Sequence, residues 1–168
     1  TFRHAQRPRH EARDLLGVGA GTGRVALAVA EVAGRRRVTG VEPSPAMRAR
    51  FVERRAETGL GRVDIVAGSF EEIPLASGSQ GLVFGAFRSF QHVLTVAGQL
   101  RALAEVRRVL RPGGMFAVDL FDPAYHVLRR APASLGMTYR TGRGTTIERW
   151  ESREIDRVGQ RVDVTFRW

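Results

Sequence analysis

The sequence predicts an α/β fold: a doubly wound, mostly parallel sheet with helices on both faces, followed by C-terminal antiparallel strands. Three observations carry this. Short apolar runs alternate with helix-like segments as far as Leu120, the pattern of βαβ units. A glycine turn, GVGAGTG at Gly17 to Gly23, joins the first apolar run to the first helix. Beyond Gly136 apolar and polar residues alternate, which suits strands with one buried face.

Leu15 to Val18 ends in the glycine turn and reads as a buried parallel strand. The run Arg24 to Val32 follows as a helix with Val25, Leu27, Ala28, Val29 and Val32 as its apolar residues and Gly34 as its stop. Val38 to Val41 is the second strand. A second helix then has Ser44 as its cap, Pro45 in its first turn and an apolar face of Ala46, Met47, Phe51 and Val52, ending near Thr58-Gly59. Val63 to Ala67 gives the third strand, Gly68 to Gly81 a loop, and Leu82 to Phe87 the fourth strand. A long helix over Val96 to Leu110 meets Arg-Pro-Gly-Gly at 111 to 114, a stop signal, before the fifth strand, Met115 to Leu120. A short helix is expected at Pro123 to Arg130. Thr145 to Ile155 and Arg161 to Trp168 are expected as antiparallel strands joined by a turn at Asp156 to Gln160.

With 168 residues and 43% apolar content the chain fits a single domain, 1–168, with a core at 1–122 and an extension at 123–168. The absence of cysteine excludes disulfides, thiolate metal sites and cysteine nucleophiles. No apolar run reaches the roughly 20 residues of a membrane span, no signal-peptide pattern opens the chain, and a cytoplasmic location is compatible with both. All 27 basic residues are arginine against 17 acids, a net charge of +10. These arginines are scattered, so a solvated helix-supporting surface is favoured over a nucleic-acid footprint. His4 and His10 have no partner at metal-ligand spacing, and no metal is expected. A homodimer stays open. A start without methionine so near the turn, and a stop inside a strand, predict that residues are missing at one or both ends.

The glycine spacing narrows the ligand. A dinucleotide fingerprint needs G-x-G-x-x-G, but from Gly17 the third position is Thr22 and from Gly19 it is Arg24. A phosphate-cradling loop of the P-loop kind needs a lysine, and the chain has none. Four stations in order, GVGAGTGR at 17 to 24, GVEPSPAM at 40 to 47, AGSFEEIP at 67 to 74 and VLRPGG at 109 to 114, resemble the class I S-adenosylmethionine (SAM) dependent methyltransferases over about Leu15 to Leu120. The resemblance implies a Rossmann-like fold and SAM as cofactor. It implies that Gly17, Gly19, Ala20, Gly21 and Gly23 wrap the methionine part of SAM. Glu42 would hold the ribose hydroxyls, with Pro43 and Met47 beside it. Ser69 and the backbone of Phe70 would meet the adenine, and the carbonyls near Ala86 and Phe87 would face the cofactor. A carboxylate suits two adjacent hydroxyls because it can accept from both. A surface glutamate capping the next helix is the plainer reading of Glu42. The chain departs from the family where Gly17, Ser69 and Gly81 stand in place of acids.

Methyl transfer from a sulfonium is an in-line displacement in which the protein chiefly aligns the reactants. His92 is the candidate base, since its titration range is near neutral, and a structural histidine is the plainer alternative. Arg88, Asp122 and Tyr125 are the candidate acceptor-binding residues, with His126 on the same side. The expected reaction is transfer to an oxygen or nitrogen of a small molecule. The segment Phe84-Gly85-Ala86-Phe87 lacks the Asn/Asp-Pro-Pro-aromatic motif of base-amino methyltransferases, and pyrimidine-carbon enzymes use a cysteine. The strands at 138 to 168 look similar to an extension in some small-molecule N-methyltransferases. RNA or protein methylation, or a non-catalytic SAM-binding relative, are the alternatives. A nicotinamide enzyme is disfavoured by the glycine spacing.

Overall fold

Alternation along one short strand founds two cores, because Leu15 packs into one layer of helices and Leu16 into the other. The computed structural model describes residues 14–121 and 131–168. The chain divides into two compact units, Thr1–Leu120 and Phe121–Trp168. In the first unit β1 (Leu15–Val18), β2 (Val38–Val41), β3 (Val63–Val66), β4 (Gln80–Gly85) and β5 (Leu110–Val118) form a parallel sheet in the order β3-β2-β1-β4-β5. Helices α1 (Arg24–Val32) and α2 (Pro45–Thr58) cover one face, burying Leu15, Leu27, Val38, Phe51 and Val63. Helix α3 (Val96–Val109) covers the other, over Leu16, Val18, Val83 and Val106. Strand order reverses between β1 and β4, which opens a crevice at their carboxyl ends.

Helix α2 starts as its sequence dictates, with the Ser44 hydroxyl accepting from the Met47 amide and Pro45 at the first position. Its buried face is narrower than expected: Phe51 alone is buried, while Ala46, Met47 and Val52 are exposed. Helix α1 is turned relative to its expected stripe. Ala26, Leu27 and Ala30 are buried and Val32 is 85% exposed, since small alanines let the helix axis lie close to the sheet. Strand β3 ends at Val66, one residue short of the expected Ala67. Strand β4 runs from Gln80 to Gly85 and not from Leu82 to Phe87, because Phe87 and Arg88 take left-handed φ values of 53° and 60° that no strand accommodates. The Arg-Pro-Gly-Gly signal does end α3, at Val109, but it lies inside β5. The pairing steps from Gln80↔Leu110 to Leu82↔Met115, so these residues form a bulge in the strand.

The loop between β3 and β4 is braced by α3. Arg108 and Glu105 meet in a two-pronged ion pair, Nε to Oε1 at 2.7 Å and Nη2 to Oε2 at 2.8 Å. Arg108 also donates to the carbonyls of Leu75 and Ile73, each at 2.7 Å, and the Ile73 amide donates to Glu105 at 3.0 Å. The Arg108 hydrogen bond holds the Glu105 carboxyl down to about 2, against the opposing effect of its partial burial, with the Ile73 amide assisting. A carboxyl lowered on folding stabilises above its unfolded value near 4.5 and loses that contribution as pH falls toward 2. Glu105→Gln is therefore expected to cost about 2 kcal/mol in denaturant unfolding at pH 7. The gap from the parent should close between pH 4.5 and 2, and a gap that stays constant there would overturn the assignment.

In the second unit β6 (Ala131–Arg140), β7 (Thr146–Asp156) and β8 (Arg161–Arg167) form an antiparallel sheet in that order. The Asp156 carboxylate accepts from the amides of Val158 and Gly159, which makes the expected turn. Tyr139 meets Trp168 edge-on at 6.3 Å, and the Arg149 guanidinium lies 5.0 Å from the Phe166 ring centre, so these four share one face. Strand β6 begins at Ala131, ahead of the alternation that announces it; register shifts at 131/134 and 135/137 let Pro132 and Gly136 sit within it. The expected helix at Pro123 to Arg130 lies outside the described residues.

Candidate functional site

The glycine turn spans the carboxyl end of β1 at the crevice. The amides of Gly19 and Ala20 both donate to the Val41 carbonyl, at 2.9 and 3.0 Å, and bend the turn toward β2. Gly19 has φ +68°, and a Cβ on it would stand 2.5 Å from the Ser89 Cβ, so conformation and space both require glycine. The Ser89 hydroxyl donates to the Val18 carbonyl at 3.2 Å, tying the 3₁₀ turn Ser89–His92 to β1. Across the turn, Arg54 of α2 donates to the Thr22 carbonyl and hydroxyl, each at 3.3 Å.

Glu42 follows β2 and is 6% exposed. One carboxylate oxygen accepts from the Gly21 amide and the other from the Ser44 amide, both at 2.9 Å. It therefore clamps the turn to the start of α2 while each oxygen keeps a second lone pair. The plainer reading of Glu42 as a surface cap understates it: the carboxylate is buried, and it grips the glycine turn as well as the helix entry.

Phe84 pairs in register with Gly17, and its ring fills the volume a side chain at 17 would need, with a Cβ there only 2.8 Å from ring carbons. Any side chain at this position would therefore require the Phe84 ring of β4 to move. Past Gly85 the backbone is strained at Phe87 and Arg88, and each left-handed residue costs about 1–3 kcal/mol. Asp119, just beyond β5, offsets this. Its carboxylate accepts from the Arg88 amide at 2.6 Å, and its own amide donates to the Gly85 carbonyl at 3.1 Å. The Phe87 ring is thereby presented to α1, where the Arg24 guanidinium lies 3.6 Å from its centre. Arg24, Phe84 and Phe87 line a cavity of about 160 Å³ with Gly17, Gly19, Ala20, Gly21 and Ala86.

Six of the residues singled out in the sequence thus meet at this cavity: Gly17, Gly19, Ala20, Gly21, Ala86 and Phe87. Gly23 caps α1 and Glu42 joins the turn through Gly21. Met47 approaches Gly21, its sulfur 4.0 Å from where a Cβ would stand. Pro43 is exposed, and its carbonyl accepts from Arg48 at 2.7 Å. The Ser69 hydroxyl accepts from the Glu71 amide at 3.2 Å, and Phe70 is buried in the core with its ring edge-on to Phe90 at 5.4 Å. His92 ends the 3₁₀ turn, exposed, and does not line the cavity. Arg88 is exposed, with its amide bound to Asp119. Asp122, Tyr125 and His126 lie outside the described residues, as do His4 and His10. Sequence reasoning assigned no role to Arg24, Phe84 or Asp119; the arginine closing the GVGAGTGR run was the signal at hand for the first. Among the described residues no group of three or more His, Asp or Glu is placed to hold a metal ion, and no helix is long and apolar enough to cross a membrane.

A parallel sheet reversing at β1/β4, a glycine turn over the crevice and a buried acid after β2 define a nucleoside-binding α/β protein. The model of a family described as a methyltransferase domain matches residues 15–114, and the chain belongs to that family, the SAM-dependent methyltransferases. A ubiquinone/menaquinone biosynthesis C-methyltransferase of Methylobacterium nodulans is 40% identical over 103 residues, 61% of this chain and 39% of that protein. The protein named "Probable S-adenosylmethionine-dependent methyltransferase" of Mycolicibacterium smegmatis is 33% identical over 148 residues, 86% of this chain and 47% of its own length. Among solved structures, the CcbJ methyltransferase from Streptomyces caelestis superposes with a TM-score of 0.77 and 29% identity, covering 92% of this chain and 60% of that one. The chain spans less than half the length of these two curated relatives.

SAM is the cofactor this family implies. The residues present fit it: the turn at Gly21 is crowded only by the Met47 sulfur, 4.0 Å from where a Cβ would stand, and the buried Glu42 carboxylate beside it has lone pairs to offer hydroxyl donors.

Proposed function

We propose that this chain transfers a methyl group from SAM to an oxygen or nitrogen atom of a small molecule. The observation that carries the reading is the Glu42 carboxylate, buried and locked against the glycine turn at the mouth of the β1/β4 crevice. When bound, SAM supplies the electrophilic methyl and its own leaving group. Glu42 would accept from the ribose hydroxyls, the Gly19–Gly21 turn would hold the methionine portion, and Ser69 with the Phe70 backbone would meet the adenine. The Ala86–Phe87 turn, stiffened by the Asp119 bond to the Arg88 amide, would face the cofactor. Arg88, Asp122 and Tyr125 take the acceptor, with His92 as the base that removes its proton. The arginines are scattered, and Arg48, Arg55 and Arg108 each donate to carboxylates or carbonyls of the chain itself, which favours a small molecule over RNA.

Calorimetric titration with SAM should give micromolar binding, and methyl transfer should be detected in a panel of hydroxyl- and amine-bearing small molecules. Turnover restricted to RNA or protein, or to a carbon acceptor such as the name of the Methylobacterium relative specifies, would overturn the acceptor assignment.

A further inference from the structure

We propose that Arg24 is the carboxylate anchor of this site, its guanidinium holding the α-carboxylate at the amino-acid end of SAM. The assignment rests on the cofactor reading above and adds a residue to it. Among the described residues, Arg24 is the sole formally charged one lining the cavity. Among the described residues it has no carboxylate partner; its contact is the face of Phe87, at 3.6 Å. A guanidinium held over the face of a ring spends none of its N–H groups on a carboxylate or carbonyl, so its donor fork is left to meet a carboxylate with two bonds.

The position of Arg24 is unfavourable unless an anion comes to it. It is the first residue of α1, whose first turn contains no acid, so its charge stands at the positive end of the helix dipole. An anion placed there satisfies the guanidinium and the unpaired amides of the helix start together. The stack is also held at a cost. Phe87 meets Arg24 because the left-handed Phe87-Arg88 turn is kept by the Asp119 bond to the Arg88 amide. Local rules broken at two neighbouring places of one cavity are the mark of a functional contact.

The opposite half of a zwitterion finds no match from β1. Gly17 has no side chain to take an ammonium, and the Phe84 ring stands 2.8 Å from where a Cβ there would lie. The cavity is thus complementary to the anionic end of an amino-acid group, and this chain recognises that end through its carboxylate.

The test is isothermal titration of the parent chain, Arg24→Ala and Phe87→Leu with two ligands, SAM and decarboxylated SAM, which retains the sulfonium and the amine. The parent should prefer SAM by roughly 10- to 100-fold, the worth of a charge-assisted contact. Arg24→Ala should lose that preference while binding decarboxylated SAM within about threefold of the parent. Phe87→Leu should lose part of it. Thermal melting without ligand should hardly change in Arg24→Ala, because the side chain is exposed. Equal loss for both ligands would show that Arg24 only shapes the crevice, and no loss for either would remove it from the site; both overturn the assignment. A parent chain that binds neither ligand sinks the cofactor reading and this assignment with it, an outcome distinct from the other two.

Discussion

Glu42→Ala is expected to weaken SAM binding at least about 100-fold and to lower stability by about 2–4 kcal/mol at pH 7. The two effects have separate sources on one carboxylate. Stability falls because the amides of Gly21 and Ser44 lose an ionised acceptor at 2.9 Å, in a place where the residue is 6% exposed and water is a poor substitute. Affinity falls because the remaining lone pairs, which the ribose hydroxyls would use, go with it. Glu42→Gln separates them in part. It presents one oxygen, so one amide stays paired while the other faces an NH₂ group, and both losses should be intermediate. Calorimetric titration and denaturant melts of the three chains check this. Affinity unchanged in Glu42→Ala would remove the ribose contact even if the melt confirmed the clamp.

Gly19→Ala is expected to cost about 2–4 kcal/mol and to abolish measurable cofactor binding. At φ +68° an alanine is strained by about 1–2 kcal/mol, and its Cβ would also stand 2.5 Å from the Ser89 Cβ. The second contribution should be recovered by Ser89→Gly in the same chain, and the first should not. A double variant as unstable as Gly19→Ala alone would show that the Ser89 contact relaxes at no cost. That second variant also removes the Ser89 hydroxyl bond to the Val18 carbonyl, so the cycle needs Ser89→Gly measured by itself.

Local chemistry made much of the first unit legible. The ends of β1, α1, β2 and α2 fall where glycine, Ser44-Pro45 and Gly59 put them, because capping and turn residues act on their own neighbours. What was not legible depends on partners distant in sequence. Strand β4 stops at Gly85 because two residues without glycine's freedom, Phe87 and Arg88, are held left-handed by Asp119, more than thirty positions along. Arg24 looked like one more scattered arginine until β4 brought Phe87 beneath it. The stripe on α1 was misjudged because apolar residues occur nearly all round that helix, and only the sheet decides which of them it covers. Strand β6 was hidden by Pro132 and Gly136, ordinary breakers that its register shifts absorb.

The interlocking of Gly17 with the Phe84 ring constrains how this lineage can change. A mutation giving position 17 an acid meets aromatic carbons before it can meet a ligand, so as a first step it damages the fold. Shrinking Phe84 first opens a void beside the crevice, tolerable only while the rest of the core holds the chain together. The two positions are therefore coupled: a side chain at 17 requires the Phe84 ring to shift or shrink, and substitutions at the two sites should have non-additive effects on stability.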